Sequence, residues 1–397
     1  MKLGTAAHLE AFRAEVRTFI ANNSPGIKQH TGTRAPEPEL IPAIRRWTAA
    51  LFDAAYLGAD WPEKYGGTNG VDPEKAFIVA EELARARTWA PIGAHQLAAA
   101  AIIEFGSEAL QQHYLPRIRD GRDIWCQLFS EPGAGSDLAS LRTRARRVGD
   151  HFVVTGQKVW TTNGQFADVG YLLARTDPDA AKHRGITALA LDMTLPGISV
   201  RPLREITGTF DFNEVFLDEV RVPADAVIGE VNDGWRVANS SLAHERTGTA
   251  ALATELLEDL TRLVALAGTR LDDSAVRRDV GRVATHARVI DLMRKSAQSS
   301  LMAGGGDVSD APAVKIFFSQ TNLALTELGM SLQGPRAVLV DGDDEAIDHG
   351  WWQDAFLYAR AWTIAGGANE VLKNVIAERA LGMPREPREP QRDGSRP

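Results

Sequence analysis

Apolar residues recur at helical spacing in the first and last parts of the chain. The sequence predicts a first amphipathic helix from Leu9, Phe12, Val16 and Phe19, which follow steps of three and four. The Ala-rich segments "EKAFIVAEELARAR" and "GAHQLAAAAIIEFG" continue this pattern, and loops such as "DWPEKYGGTNGVDP" interrupt it with Pro and Gly. Helical spacing returns at Asn232 and continues to about Leu381.

Between these two parts, the pattern changes near Ile124 to short segments that alternate apolar and polar residues. Turn signals such as "VGDH" and "TDPDA" separate the segments, and no helical segment lies between them. The predicted strands are "HFVVTGQKVWTT", "DVGYLLART", "ITALALDM", "ISVRPLREI" and "NEVFLDEVRVP". Strands in this arrangement are typical of an antiparallel sandwich or barrel.

We therefore predict three domains and a tail. Residues 1–122 form an N-terminal helical domain, 123–231 a middle β domain, and 232–385 a C-terminal helical domain. Residues 386–397 are charged and rich in Pro, which predicts a flexible tail.

Composition excludes several classes of protein. The 397 residues are 44% hydrophobic and carry a formal net charge of -8, which argues against nucleic-acid binding. The single cysteine, Cys126, excludes a disulfide framework, and the nine histidines show no metal-binding spacing, so we expect no metal. Because no apolar run reaches about 20 residues and the N-terminus lacks a signal-peptide pattern, we expect a cytoplasmic protein without a membrane anchor.

The Gly-rich stretch "CQLFSEPGAGSDLASL" is the first candidate for chemistry. It is not a dinucleotide fingerprint, because Leu138 stands at the third glycine position, and no Lys-Ser/Thr follows as in a P-loop. A tight Gly turn with Ser130 and Ser136 can still present N–H groups and hydroxyls to an acceptor-rich ligand. The alternative is an ordinary turn.

The stretch "GQKVWTTNG" at 156–164 is the second candidate. Trp160 and Thr162 are two residues apart, so in a regular strand they share a face. A flat aromatic ring beside a hydroxyl suits a flat heterocyclic ligand, and the alternative is packing in the core.

Taken together, the two stretches resemble the acyl-CoA dehydrogenase family of flavoproteins. "WPEKYGG", "FNEVFLDEVRVPADAVIGE" and "GGANEVLKNVIAERALGMPR" resemble the same family in its order, so the resemblance covers nearly the whole chain. It implies a mainly α fold with a β insert, in which an N-terminal helical domain, a middle antiparallel β domain and a C-terminal four-helix bundle follow one another.

The resemblance implies FAD as cofactor. On the matching positions, Gln127, Phe129 and Ser130 line the flavin through backbone and side chain, and Gly135 and Ser136 lie near the pyrophosphate and the substrate. Trp160 shields the ring and Thr162 binds it near N5. Gly366, Gly367 and Glu370 belong to a C-terminal flavin motif.

The implied reaction is α,β-dehydrogenation of an acyl thioester in lipid degradation, with an electron-transfer flavoprotein as the electron acceptor. A carboxylate takes the α-proton in this family, but its common position falls on Gly366 here. A branch that includes isovaleryl-CoA dehydrogenase-like enzymes places the base in a Glu-Arg pair, which corresponds to Glu245 and Arg246. Arg246 is expected to contact the pantetheine or phosphate part of the substrate, and the alternative is a solvated surface charge.

The helical pattern supports Glu245 independently of the resemblance. Glu245 is the only charged residue on one predicted helical stripe, which consists of Trp235, Ala238, Leu242, Glu245, Thr249, Leu252 and Leu256. A carboxylate on an inward stripe is costly unless it is paired or functional. The alternative is a structural ion pair with an arginine of a neighbouring helix.

Some family elements are altered. The Arg-x-x-Phe-Gly element that reaches a neighbouring subunit's FAD is missing from "LAGTRLDDSAVRR", and a related Gln-x-x-Gly-Gly element reads "MSLQGPR". These changes resemble bacterial branches, some of them steroid-degrading, whose enzymes combine two unlike subunits. We expect a homo- or hetero-oligomer, either a dimer or a tetramer.

Alternatives to a dehydrogenase remain open at this point. A flavin monooxygenase or oxidase on the same fold needs no base, and a non-catalytic partner subunit would explain Gly366 and the altered elements. Small residues at 365–367 predict room for a branched or bulky acyl chain, carried on CoA or on a carrier protein.

Overall fold

The computed structural model describes residues 7–26, 30–68, 72–91, 93–243, 248–302 and 309–385. The predicted tail, 386–397, lies outside these residues. Helices form the first and last parts of the described chain and strands form the middle, as the pattern predicts. Within the described ranges, no helix combines the length and the apolar character that a membrane span requires.

In the described part of the chain, five α-helices precede the strands. They are α1 (Ala7–Asn23), α2 (Ile41–Asp53), α3 (Pro73–Ala86), α4 (Ala94–Phe105) and α5 (Glu108–Arg119). Helix α1 confirms the predicted first helix, and its Val16 and Ile20 share a buried apolar cluster with Trp47 and Leu51 of α2. Asp72 caps the N-terminus of helix α3, where its carboxylate accepts hydrogen bonds from two backbone N–H groups of the first turn.

The described residues contain eight strands that form one sheet in the order β6-β7-β3-β2-β4-β5-β8, and β1 pairs with β4 outside this path. Their bounds are β1 (Trp125–Leu128), β2 (Arg144–Val148), β3 (His151–Thr162), β4 (Val169–Arg175), β5 (Ile186–Asp192), β6 (Ile198–Leu203), β7 (Phe212–Pro223) and β8 (Val227–Ile228). Most neighbours are antiparallel, as expected, but β1 runs parallel to β4, and β2 meets β4 in a single parallel bridge. The sheet is therefore mixed, because β1 joins it directly after α5 and not through a hairpin.

The two faces of β4 and β5 belong to different cores. Leu172 and Leu189 join Phe152 and Val215 of β3 and β7 in one apolar cluster, so the sheet curls around its own core. Residues of the opposite face, among them Tyr171, Ala188 and Ala190, pack against α4 and α5 in a second cluster. This second cluster attaches the N-terminal helices to the β domain.

Among the described residues, six α-helices follow the strands. They are α6 (Gly234–Ala243), α7 (Gly248–Ala267), α8 (Ser274–Met302), α9 (Asp310–Gln333), α10 (Trp351–Tyr358) and α11 (Asn369–Val375). The predicted bundle consists of α7, α8 and α9 with the shorter α10, and their buried residues share one core that includes Leu256, Ile290, Phe318 and Trp352.

Candidate active site

The structure brings the two candidate stretches together. Val159 N donates to Ser130 O at 2.9 Å, which joins the segment after β1 to strand β3. The ammonium of Lys158 donates to Phe129 O at 3.0 Å and to a carboxylate oxygen of Glu131 at 2.8 Å. "SEPGAGSDL" and "GQKVWTTNG" therefore form one continuous surface at the end of β1.

Trp160 is the most exposed aromatic residue of this surface. Its side chain is 61% exposed, and its φ of +60° lies in the left-handed region that bulky residues rarely adopt. The ladder between β3 and β7 shifts register between Lys158 and Thr161, so Trp160 occupies a β-bulge. The strand alternation that predicted a shared face for Trp160 and Thr162 is interrupted at this bulge.

Neighbouring side chains support the wall that Trp160 forms. The Phe212 ring packs edge-on against the indole, with ring centroids 6.0 Å apart. Thr162 is half-buried and lies opposite Phe212 in the ladder. Backbone strain of this kind persists only where the surroundings hold it, and it is concentrated at functional sites.

The glycine turn provides open space beside this wall. Gly135 and Ser136 are exposed, and a Cβ added at Gly133 or Gly135 would meet no atom within 4 Å. Ser130 is half-buried. The turn therefore has room for a ligand close to its backbone, and the roles of Ser130, Gly135 and Ser136 stay predictions.

Gln127 and Phe129 differ in what they offer a ligand. Gln127 is half-buried on β1, opposite Tyr171 of β4. The Phe129 ring is only 4% exposed and packs edge-on against the Tyr171 ring at 4.9 Å. The Phe129 ring thus packs in the core, and the expected role of Phe129 towards a flavin stays a prediction.

Sequence reasoning missed the buried ion pair between Glu131 and Lys158. Burial lowers the pKa of Lys158 to about 8 against the opposing effect of Glu131, and Lys158 keeps the pKa of Glu131 low despite the burial of that carboxyl. A signal was present, because Phe152, Val154 and Lys158 share the core-facing parity of the predicted strand. A lysine on that face requires a partner.

Glu245 and Arg246 lie outside the described residues, so their roles stay predictions. The stripe around them is described on both sides. Trp235, Ala238 and Leu242 of α6 pack in the cluster that attaches the N-terminal helices, whereas Leu252 and Leu256 of α7 pack in the bundle core. Both described parts of the stripe thus face inward, but towards different cores.

Gly366 and Gly367 form an exposed left-handed turn, with φ of +63° and +92°. Lys315 of α9 donates to Gly367 O at 2.6 Å and to the Asn369 side chain at 3.0 Å. Burial lowers the pKa of Lys315 to about 8, although Glu370 opposes this shift. Glu370 itself is exposed. The described contacts of this turn are with the bundle, and its role towards a cofactor stays a prediction.

The described residues around Trp160 fit FAD. An exposed indole on a fixed backbone provides an aromatic face, and the open glycine turn provides N–H groups for a phosphate. Two buried polar atoms in the segment that directly follows Trp160, Thr161 Oγ1 and Asn163 Oδ1, have no hydrogen-bond partner among the described residues. Such atoms are rare unless a ligand or water completes them.

Comparisons with known proteins agree with this arrangement. Three family models match successive parts of the chain: the acyl-CoA dehydrogenase N-terminal domain over residues 6–122, the middle domain over 126–220, and the C-terminal domain over 232–381.

Individual proteins are similar over almost their full length. "Acyl-CoA dehydrogenase IpdE1" of Mycobacterium tuberculosis is 37% identical over 389 residues, which cover 95% of this chain and 98% of that protein. The solved structure "Tcur3481-Tcur3483 steroid ACAD" has a TM-score of 0.88 at 30% identity, covering 97% of this chain and 100% of that one. The "ChsE4-ChsE5 complex from Mycobacterium tuberculosis" has a TM-score of 0.84 at 32% identity, with 97% and 100% covered.

The matched models span most of the chain in the family's domain order, and a relative well above 30% identity covers nearly all of it. The chain therefore belongs to the acyl-CoA dehydrogenase family, whose members are flavin-dependent oxidoreductases with FAD as cofactor.

Proposed function

We propose that this protein oxidises the Cα–Cβ bond of an acyl thioester to the trans-2-enoyl thioester. The observation that carries the proposal is the surface where the Ser130 segment meets Trp160, because it joins an open glycine turn to an exposed aromatic wall. When bound, FAD supplies the acceptor for the hydride that leaves the β-carbon.

The residues of this chain bind and orient the reactants in the proposal. Trp160 covers one face of the flavin, Thr162 donates a hydrogen bond near N5, and the backbone around Ser130 lines the ring. Gly135 and Ser136 lie at the pyrophosphate and the substrate, and Gly366, Gly367 and Glu370 contribute to the cofactor site from the bundle. Exclusion of water by this wall strengthens the electrostatic interactions inside the site.

The proposed base is Glu245, which takes the α-proton while the new double bond forms between Cα and Cβ. Two observations support this assignment. Gly366 cannot accept a proton, and the described parts of the stripe on either side of Glu245 face inward. A desolvated carboxylate is a stronger base towards a weakly acidic C–H group, since burial raises its pKa. Arg246 then contacts the pantetheine or phosphate part of the substrate.

A bulky acyl group is the proposed substrate class. A Cβ added at Gly366 would meet no atom within 4 Å, so the absence of a glutamate there leaves open space. One structural relative is named a steroid ACAD, which supports a steroid or similarly wide acyl chain. We propose CoA as the carrier, an electron-transfer flavoprotein as the electron acceptor, and a cytoplasmic location.

A hetero-oligomer is the proposed assembly. Two structural relatives carry paired names, Tcur3481-Tcur3483 and ChsE4-ChsE5. The altered elements of this chain support a partner subunit that supplies the missing arginine to the FAD site. The same alterations favour a second candidate, a non-catalytic partner subunit.

Product analysis tests the proposed function. The flavoprotein is incubated with a panel of acyl-CoAs, from short linear chains to steroid side-chain thioesters, and an artificial electron acceptor. The proposal predicts a product that has lost two hydrogen atoms, formed fastest from a bulky chain, without consumption of oxygen in the absence of the acceptor. Rapid oxygen consumption would instead indicate an oxidase or monooxygenase, and no product from any thioester would favour the non-catalytic subunit.

A further inference from the structure

The Glu131–Lys158 pair lies directly behind the proposed flavin wall. Lys158 is completely buried and Glu131 is 9% exposed. The pair connects the glycine turn to strand β3, two residues before Trp160. It lies inside the protein and therefore cannot itself contact a bound ring.

The Glu131 carboxylate accepts hydrogen bonds from three donors on two segments. One carboxylate oxygen accepts from Lys158 Nζ at 2.8 Å and from Thr143 N at 2.8 Å, and the other accepts from Arg142 N at 2.6 Å. The backbone of Glu131 also exchanges two hydrogen bonds with Ala134 across the glycine turn. One side chain thus fixes the turn to the chain that enters β2.

Lys158 extends this connection to the flavin wall. Its ammonium also holds Phe129 O at 3.0 Å, and the next residue, Val159, donates its N–H to Ser130 O at 2.9 Å. These two contacts lie side by side immediately before the left-handed residue Trp160. They therefore fix the spacing between Ser130 and the indole.

Stability alone does not explain two buried charges here. A buried ion pair is often no more stabilising than apolar side chains of similar volume, because desolvation offsets the attraction between the charges. What it provides at this position is directional bonding to Phe129 O and to two backbone N–H groups, which apolar side chains cannot supply.

We propose that Glu131 and Lys158 are positioning residues that hold the Phe129–Ser130 backbone and Trp160 at the separation that receives FAD. The inference rests on the proposed roles of Ser130 and Trp160. Neither member of the pair is a catalytic residue, since each acts through the wall in front of it.

The test compares FAD binding with folding in the full-length protein. Lys158→Met removes the ammonium at similar volume, and FAD affinity is measured from flavin fluorescence well below the unfolding temperature. Because hydrogen bonds to charged groups are strong, the dissociation constant for FAD should rise by about tenfold or more. The shape of the bound-flavin absorption band should also change, because it reports the surroundings of the ring.

Arg87→Met is the matched control. Arg87, directly after α3, and Asp259 of α7 form an ion pair of similar burial, at 6% and 3% exposure. Breaking it should lower the unfolding temperature while FAD affinity stays within about twofold of wild type. If Lys158→Met likewise lowers only the unfolding temperature and keeps wild-type FAD affinity and spectrum, the pair is structural and the inference is overturned.

If the unpaired, buried Glu131 carboxylate prevents Lys158→Met from folding, a double variant provides the test. Glu131→Gln/Lys158→Met leaves no unpaired charge, and the amide oxygen can still accept from a backbone N–H. The inference predicts a folded protein with weakened FAD binding, and wild-type affinity in this variant would contradict it. Failure of the wild-type protein to bind FAD at all would contradict the proposed function instead.

Discussion

At the scale of single residues, Trp160 shows what the sequence could and could not predict. Its type and neighbours indicated an aromatic wall for a flat ligand, and the structure exposes it beside the glycine turn. Its positive φ could not be predicted, because the bulge depends on how β3 pairs with the distant strand β7. The wall is therefore held by tertiary contacts more than by the local sequence.

Trp160→Ala should weaken FAD binding without unfolding the protein. The substitution removes an aromatic contact worth about 0.5–1.5 kcal/mol beyond its buried area, and the side chain contributes little to the core because it is exposed. Titration of FAD should show the loss, while the unfolding temperature without FAD stays near wild type. Trp160→Phe should recover part of the affinity. Equal FAD affinity in wild type and Trp160→Ala would exclude Trp160 from the cofactor site.

At the scale of elements, hydrophobic periodicity predicted the strands well. The segment "HFVVTGQKVWTT" coincides with β3, and "DVGYLLART" contains β4 with one extra residue at each end. Pairing was harder to predict. The four residues of β1 are too short for a periodic signal, and the parallel β1–β4 pairing depends on where α5 delivers the chain.

The contact between α4 and β1 makes stability depend on pH. Trp125 N donates to His95 Nε2 at 3.4 Å, and burial lowers the pKa of His95 to about 4. In the unfolded chain, the imidazole has a pKa near 6.5. The stabilisation that neutral, buried His95 provides is therefore complete above about pH 6.5 and is lost as the pH falls towards 4. The free energy of unfolding should therefore fall by roughly 1.5 kcal/mol between pH 6.5 and pH 5.

Chemical denaturation at these two pH values measures this effect. His95→Gln should remove that part of the pH dependence, because glutamine cannot become charged. His113→Gln is the control, since His113 is exposed on α5, and it should keep the wild-type dependence. An unchanged pH dependence in His95→Gln would show that other groups cause it.

At the scale of the whole molecule, Arg34 connects the three parts of the chain. Its guanidinium donates to Asp211 at 3.0 Å in the β domain and to Asp354 at 2.7 Å in α10, and it stacks on the Tyr358 ring at 4.5 Å. Asp211 directly precedes Phe212, the aromatic neighbour of Trp160. This contact could not be predicted from the sequence, because the three segments are more than 100 residues apart.

Arg34→Met should destabilise the protein by roughly 3 kcal/mol, because it leaves Asp211 buried without its cation. Thermal unfolding measures the change. Arg122→Met, which breaks an exposed pair with Asp120, should leave the unfolding temperature close to wild type. Similar small shifts in both variants would show that Arg34 does not hold the domains together.

The assembly prediction also belongs to this scale. Expressed alone, the chain should retain FAD incompletely, and co-expression with a related subunit that carries the missing arginine should restore one FAD per site. Light scattering measures the oligomeric state, and flavin stoichiometry measures the FAD occupancy. A homotetramer with full FAD occupancy, obtained without any partner, would contradict a hetero-oligomer.

Anaerobic mixing of the flavoprotein with a bulky acyl-CoA tests the central claim most directly. Loss of the oxidised-flavin absorbance reports the dehydrogenation step alone. The account predicts rapid bleaching in wild type and a rate lower by about 10²–10⁴-fold in Glu245→Gln, which keeps shape and FAD content but cannot accept the α-proton. Bleaching at the wild-type rate in Glu245→Gln would contradict the assignment of the base, and no bleaching of the wild-type flavoprotein by any acyl-CoA would contradict the dehydrogenase itself.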